Sequence, residues 1–403
     1  MAGAEHTVAA ARAQVLAAAT PLACESVAIE AASGRTLAEA VSATRAQPPF
    51  RSAAMDGYGI RAADAGPEAF TVLGEAAAGR AYAGERMRAR GAVRIFTGAA
   101  VPEGVDLVVP QERARRQGDQ VWLSLVAQPR SNIRETGIDF GAGEVLAHRG
   151  VRLNARHVAL LAAAGRGAVS VMRRPRVALL ATGDELVQPG APASVHQIFD
   201  SVSFGVGASI ADWGGEALRL AIRPDSEAAI AAAAADALQR TDVLVVIGGA
   251  SVGDYDVVKR SLGRLGSSVA VESIAIRPGK PTWFGQAAGK HVLGLPGNPA
   301  AALVCAHLFL RPLLATLLGR VADEALVSAV LEGEVAASGP NECYLRAVAV
   351  PGEDARLRVR PCDNQDTSLV SVFAAANALI RRPAGAPAAR SGAPVEVLWL
   401  DRT

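Results

Sequence analysis

Apolar residues recur at three- and four-residue spacing over 8–19 and 27–41, which predicts helices in the first 45 residues, with Gly34 between segments. From Pro48 the pattern changes to short apolar runs between turns. Runs at 70–73, 93–96, 107–109 and 121–126 predict strands, so 47–144 reads as a small β-rich domain. Helical spacing returns over 155–164, and a short strand is expected at 168–171. Arg173-Arg174-Pro175 then punctuates the chain.

Beyond that point strand and helix alternate. Strands are expected at 176–181, 216–222, 243–247 and 291–295, and helices at 203–213, 226–239, 257–265 and 299–310. Such alternation predicts a three-layer α/β/α arrangement, a mostly parallel sheet with helices on both faces. Residues from about 325 onward are β-like again, with runs at 326–335, 344–350, 357–359 and 395–400. The expected class is therefore α/β multidomain. Its segments are a helical linking domain (1–46 with 145–174), a β-rich domain (47–144), an α/β domain (175–324) and a C-terminal β domain (325–403).

Composition sharpens this. At 403 residues the chain is too long for one ordinary domain of about 150 residues. With 50% hydrophobic and 20% charged residues and a mean hydropathy of +0.23, it has apolar area for several cores. Aromatics are only 4%, so those cores must be built from Ala, Val and Leu. Lys and Arg number 41 against 39 acids, a net charge of +2, which argues against a polybasic nucleic-acid binder or an acidic tail protein. Cys24, Cys305, Cys343 and Cys362 form no C-x-x-C and read as structural thiols in a reducing, cytoplasmic compartment. Glu5, His6, Arg12 and Gln14 break the Ala-rich start, so it does not read as a secretory signal. His307, Arg311 and Pro312 interrupt the apolar run at 303–318, so no membrane span is expected.

The residues that carry chemistry follow the strands of the α/β segment, where open parallel sheets bind ligands. Thr182-Gly183-Asp184-Glu185 follows one strand, and Gly248-Gly249-Ala250-Ser251-Val252-Gly253-Asp254-Tyr255-Asp256 follows another. Arg277-Pro278-Gly279-Lys280-Pro281 forms a third loop, and Leu295-Pro296-Gly297-Asn298-Pro299 leads into a helix N-terminus. Glycines allow close backbone approach and expose N–H donors, and a helix N-terminus adds positive potential, so this rim suits an anion. Lys280 adds a full positive charge, while Glu185 and Asp256 offer the hard oxygen ligands that Mg²⁺ accepts beside phosphates. The types and positions point to a phosphorylated ligand with Mg²⁺. The alternative is that Gly and Pro make ordinary turns and the acids cap helices.

Familiar signatures mostly fail. There is no P-loop, and no G-x-G-x-x-G follows the first strand. Gly249-Ala250-Ser251-Val252-Gly253 matches G-x-S-x-G, but only Glu272 and His291 could complete a triad, and no oxyanion motif is present. The six histidines are scattered without H-E-x-x-H, and His157 and His307 read as packing residues.

Gly34-Arg35-Thr36-Leu37-Ala38-Glu39 and Ala54-Met55-Asp56-Gly57-Tyr58 open a series of motifs by which, across nearly its whole length, the chain resembles the molybdopterin molybdenumtransferases, to which the C-terminal domain of gephyrin is similar. Ile95-Phe96-Thr97-Gly98-Ala99, and Asn132-Ile133-Arg134 through Gly137 and Asp139, match the second domain. The four loops above match the third, and Gln365-Asp366-Thr367-Ser368-Leu369 through Ala376-Asn377 resembles the fourth. The resemblance implies an elongated homodimer whose helical domain serves dimerisation, with a molybdopterin-binding type α/β domain and a β-barrel-like C-terminal domain. The active cleft would be shared with the second domain of the partner subunit.

It implies the reaction of adenylylated molybdopterin with molybdate, releasing AMP. Asp56, Asp139, Glu185, Asp256 and Lys280 would be catalytic, with Glu185 and Asp256 holding Mg²⁺. Thr97, Arg134, Thr182, Gly183, Asp225, Gly248, Gly249, Ser251, Gly253, Arg277, Gly279, Pro296 to Pro299, Arg346 and Ser371 would bind substrate. A molybdopterin adenylyltransferase is implied as a partner; nucleic acid and membrane are not. Departures are Arg51, where an acid or amide is usual; Val202, for a customary Asn; Ile247, for a usual Thr; and Asp366-Thr367-Ser368, for Gly-Ser-Gly. Rival readings are an adenylyltransferase of related fold and a catalytically weakened scaffold.

Overall fold

A computed structural model describes residues 5–124, 131–248, 257–322 and 326–400. The chain begins with α1 (Val8–Ala17), whose Ala10 N–H donates to the Thr7 hydroxyl, and β1 (Cys24–Ala28). Val8, Ala11 and Val15 form the buried stripe of α1 and enter the core of the α/β body.

The helix expected over 27–41 does not form. Val27 lies in β1, a 3₁₀ turn covers Ile29–Ala31, and Val41 and Ser42 pair with Ala147 and Val145. The apolar residues of this stretch are still buried: Ala32, Leu37 and Val41 share a core with Leu153, Leu161, Val169 and Val171. Pairing with a segment more than a hundred residues away overrode helical spacing.

The β-rich body contains β2 (Gly57–Ile60), β3 (Phe70–Ala76), β4 (Gly91–Ile95), β5 (Leu107–Pro110), β6 (Ala114–Gln117) and β7 (Gln120–Leu123), in the order β5-β2-β4-β3-β7-β6. The strand expected over 121–126 runs to Leu123, and 125–126 lie outside the described residues. β2 went unpredicted because two of its four residues are glycine. A Cβ on Gly57 would lie 2.0 Å from the Val109 carbonyl oxygen, so glycine is what lets the two strands pair closely.

α2 (Ala155–Ala163) starts with a capping box at Asn154 and His157, and β8 (Ala168–Met172) returns antiparallel to β1, from Cys24 opposite Met172 to Ala28 opposite Ala168.

The α/β body follows as β9 (Arg176–Ala181), α3 (Val202–Asp212), β10 (Glu216–Arg219), α4 (Glu227–Arg240), β11 (Val243–Ile247), α5 (Val257–Gly263), β12 (Ser268–Val271), β13 (Trp283–Ala287), β14 (Lys290–Leu295), α6 (Pro299–Cys305) and α7 (Arg311–Leu317). The sheet order is β10-β9-β11-β14-β13-β12; β13 alone runs antiparallel to its neighbours. β12 and β13 were not expected, since Gly285 in β13 and the exposed Ser268 and Ala270 in β12 break their apolar pattern. The three layers follow from period-two alternation. Val177, Leu179, Val243, Val245, Leu293 and Leu295 face α1, α3, α6 and α7, whereas Ala178, Leu180, Leu244, Val246 and Val292 face α4 and α5. The helix expected over 299–310 continues through a π turn at Ala306–Leu310 into α7. This Pro299–Leu317 run is long and apolar enough to cross a membrane, but 78% of its most apolar window is buried as the central helix of this core.

β15 (Val327–Leu331), β16 (Glu342–Pro351), β17 (Leu357–Pro361), α8 (Val370–Ala375), β18 (Ala378–Arg382) and β19 (Pro394–Trp399) complete the chain. The pairings β16-β17-β15-β19-β18-β16 close a five-stranded barrel around Leu331, Ala347, Val359, Ile380 and Val397. The molecule exposes 19772 Å², against about 15,000 Å² for one compact globule of its mass, as separate cores in an elongated multidomain chain require.

Candidate functional site

Register sets the site. Ala181 of β9 lies beside Ile247 of β11, and Ile247 beside Leu295 of β14, so the residues after them leave the sheet at one level. Thr182 N donates to the Ile247 carbonyl at 3.0 Å and Gly248 N to that of Leu295 at 3.3 Å. Gly248 has φ +87°, and a Cβ there would sit 2.6 Å from the Thr182 carbonyl oxygen. A Cβ on Gly297 would lie 3.7 Å from Gly248 Cα, so the second and fourth loops converge. Thr182, Gly183, Gly248 and Pro296 to Pro299 thus share one sheet edge. Gly249, Ser251, Gly253 and Asp256 lie outside the described residues.

Acids gather at the Thr182 end. Burial raises the Asp225 carboxyl above its ordinary range, and the charges of Asp184 and Glu185 add to that. Thr182 opposes the shift, although its buried Oγ1 makes no hydrogen bond of good geometry. Glu185 folds back over Gly183: a Cβ there would lie 2.5 Å from the Glu185 Oε2. Three carboxylates gathered beside a buried hydroxyl are hard oxygen donors of the kind that Mg²⁺ and waters accept. Among the described residues no group of three His, Cys, Asp or Glu is placed to hold a metal ion by itself.

The third loop is packed from below. A Cβ on Gly279, at φ +113°, would fall 2.1 Å from Cys305 Sγ, so the loop lies directly on α6. Burial pushes the Cys305 thiol up to about 12, which leaves it an inert packing group. Arg277 is exposed and joins the short strand Ile276–Arg277, which pairs with Glu342 and Cys343 of β16. Lys280 is half-exposed, and its Nζ lies 3.1 Å from Glu5 Oε1. Sequence reading gave no signal for Glu5, which is brought there by His6 pairing with Ile274.

At the fourth loop the α6 N-terminus is partly used within the chain. Ala300 N donates to the Thr367 carbonyl and Asn298 Nδ2 to Thr367 Oγ1, both at 2.9 Å. Arg346 is 1% exposed; Nη1 donates to the Asp366 carbonyl at 2.8 Å and Nε to Gln365 Oε1 at 3.3 Å. It organises the loop that reaches Asn298. Ser371 stands apart on α8, in the wall of an open cavity of about 510 Å³ with Val348, Arg360 and Cys362.

The β-rich body holds a second group. Thr97 donates to Asp56 Oδ1 from its backbone N at 2.8 Å and from Oγ1 at 2.7 Å. Those bonds, the backbone one foremost, hold the Asp56 carboxyl below its usual range. Ile133 and Arg134 pair with Ala53 and Ser52, just before Asp56, and Asp139 N donates to the Gln47 carbonyl further up the same segment; the Arg134 and Asp139 side chains are exposed. Among the described residues, the hydrogen bonds of Asp56, Thr97, Arg134 and Asp139 stay inside this body; none reaches Glu185 or the glycine edge.

The departures also find places. Val202 and Ile247 are buried in the core under α3 and α6, so each apolar side chain is packed. Arg51 bridges Glu135 and the Val105 carbonyl.

Comparison with known proteins places this arrangement. The MoeA N-terminal region (domain I and II) matches residues 6–165, a probable molybdopterin binding domain 178–316, and the MoeA C-terminal region (domain IV) 328–400. The Bacillus subtilis molybdopterin molybdenumtransferase is 34% identical over 93% of this chain and 90% of its own. That of a Nostoc species is 36% identical over 80% of this chain and 76% of its own. The chain belongs to the molybdopterin molybdenumtransferase family. A crystal structure of the Pyrococcus horikoshii molybdopterin biosynthesis MoeA protein is 26% identical, with a TM-score of 0.82 over 98% of this chain and all of that one. Another structure of that protein reaches 30% identity and a TM-score of 0.85 over 99% of this chain. The family likeness thus spans all the bodies and both residue groups.

Proposed function

We propose that this molybdopterin molybdenumtransferase inserts molybdate into adenylylated molybdopterin, releasing AMP and yielding molybdenum cofactor. The observation that carries the reading is the common level of Thr182, Gly248 and Pro296 beside Glu185 and Asp225. The Thr182 and Gly248 N–H groups are bonded within the sheet, so an adenylate phosphate placed there meets the start of α6 on one side and carboxylates on the other. Glu185, with Asp256, would hold Mg²⁺, which when bound supplies charge neutralisation at the phosphates. Lys280 binds phosphate or stabilises departing AMP. Arg134 is exposed and offers a fork to molybdate or the pterin phosphate.

Asp56 and Asp139 sit on the other body, with Thr97 fixing one Asp56 oxygen. They act across a homodimer, where the second domain of one subunit closes the α/β edge of its partner, as a base toward water or in placing the dithiolene. A molybdopterin adenylyltransferase would hand over the adenylylated substrate. Four free thiols suit a reducing compartment such as the cytoplasm.

Glu185→Gln tests the metal assignment, since it removes one anionic oxygen and keeps the shape. AMP release is expected to fall at least about tenfold, roughly 1.4 kcal/mol of barrier, with partial rescue by excess Mg²⁺. A parental rate throughout an Mg²⁺ titration would rule Glu185 out as a ligand.

A further inference from the structure

The Asp56 carboxylate is supported from behind by a residue to which no role is yet assigned. Asp56 immediately precedes β2, and Tyr58 of β2 lies opposite Arg94 of β4. The Arg94 guanidinium carbon lies 5.2 Å from the Tyr58 ring centroid and 4.6 Å from that of Phe96. Two aromatic rings thus hold a planar cation in place. From there Nη1 donates to the Gly57 carbonyl at 3.0 Å and Nη2 to Gln111 Oε1 at 2.6 Å. Gln111 N in turn donates to the Asp56 carbonyl at 3.0 Å. The fork therefore ties together the peptide after Asp56 and the turn that holds the Asp56 backbone. Thr97, which follows Phe96, uses Oδ1, and among the described residues no hydrogen bond within the chain reaches Oδ2.

We infer that Arg94 is a positioning residue for Asp56, presenting Oδ2 to the substrate in a fixed direction and favouring its ionised form. The inference rests on the reading of Asp56 as a catalytic acid. The elements around Asp56 contribute uncharged Thr97 and Gln111, Glu112 and Arg113 after Gln111, and Arg134 and Asp139 on the segment that pairs with Ser52 and Ala53; the charge that acts on the Asp56 carboxyl is that of Arg94. A positive charge stabilises the carboxylate, so its removal raises the pH at which Asp56 takes a proton. The acid limb of the rate profile then moves upward.

The test measures AMP release from adenylylated molybdopterin with molybdate and Mg²⁺ across the acid range, together with melting temperature, on the full-length chain. In Arg94→Gln, kcat is expected to fall roughly tenfold and the acid limb to move upward in pH. Arg94→Lys keeps the charge but loses the fork, so its limb stays near the parental position while kcat falls partway. That second variant carries the test should Arg94→Gln not fold. An unmoved limb with parental kcat overturns the inference, as does an equal loss at every pH accompanied by lower melting, the mark of a packing defect. Asp56→Asn separates the two levels: parental turnover there defeats the reading of Asp56 itself and the inference with it. Loss in Asp56→Asn with an indifferent Arg94→Gln defeats the role of Arg94 alone.

Discussion

Asn298 Nδ2 donates to Thr367 Oγ1 at 2.9 Å and so joins a loop of the parallel sheet to a loop of the C-terminal barrel. The Thr367 carbonyl also takes up Ala300 N, one of the N–H groups that the start of α6 leaves unpaired. Behind Thr367 stands the buried Arg346, bonded to Asp366 and Gln365. The second seam between the bodies is the pairing of Ile276–Arg277 with Glu342 and Cys343. Both seams adjoin loops of the candidate site, so the barrel shapes the site from the side.

Thr367→Val removes the Oγ1 bond and keeps the carbonyl. The lost hydrogen bond is worth about 1 kcal/mol, which lowers the melting temperature by a few degrees. With Asn298 released, KM for adenylylated molybdopterin is expected to rise severalfold while kcat changes little. Thr367→Ser should restore KM. Steady-state kinetics with a thermal melt decide it, and unchanged KM in the Val variant would show that the seam does not bear on the site.

At the opposite end of the sheet, Arg173 grips Asp242 with two bonds, of 3.0 and 2.8 Å, and Arg176 N adds a third at 2.8 Å. Burial works to raise the Asp242 carboxyl, but the bonds from Arg173 and Arg176 outweigh it and hold the pKa below its usual value. A carboxyl depressed in the fold gives stability that is fully present above its unfolded value of about 3.9 and is lost as pH falls through the folded pKa. Arg173→Met should therefore cost about 2 kcal/mol near neutrality. The penalty should shrink in acid, where the parent loses the same contribution. Urea melts at neutral and acidic pH check this, and a pH-independent difference would assign the effect to packing.

The order of elements was legible because period-two and helical spacing coincide with burial wherever a segment packs on its own neighbours. Arg176–Ala181 and Val243–Ile247 are apolar on both faces because helices cover both faces. Gly57–Ile60 hid because glycine carries the close approach to Val109, and 27–41 misled because its apolar residues are buried by a partner strand distant in sequence. The glycine loops were legible as a site because each ends a strand. The contacts that tune them were not: Thr367 meets Asn298 across 69 residues, and Glu5 meets Lys280 from the far end of the chain.

The Glu5–Lys280 pair makes the sharpest claim on Lys280, because a neighbouring carboxylate is what an incoming phosphate must compete with. The pair is half-exposed, at 52% for Lys280 and 35% for Glu5, so it contributes about 0–1 kcal/mol, screened by salt. That is too little to lock the ammonium but enough to weaken an anion's hold. Glu5→Gln should raise affinity for AMP up to about fivefold at low salt, an effect of up to about 1 kcal/mol. Lys280→Gln should lower it by ten- to more than hundredfold, the worth of a charge-assisted bond of about 1.5–3 kcal/mol, with melting temperature almost unchanged. Lys280→Arg should recover only part, since a planar fork does not replace a compact ammonium. The decisive variant is the double one. If Glu5 acts through Lys280, the gain from Glu5→Gln vanishes once Lys280 is glutamine, whereas an independent, long-range effect of the lost negative charge survives in that background. Isothermal titration of the four proteins with AMP and Mg²⁺ at two salt concentrations reads the coupling directly. A persistent gain would show that Glu5 does not act through Lys280, and an unchanged affinity in Lys280→Gln would show that Lys280 is not the group that receives the phosphate.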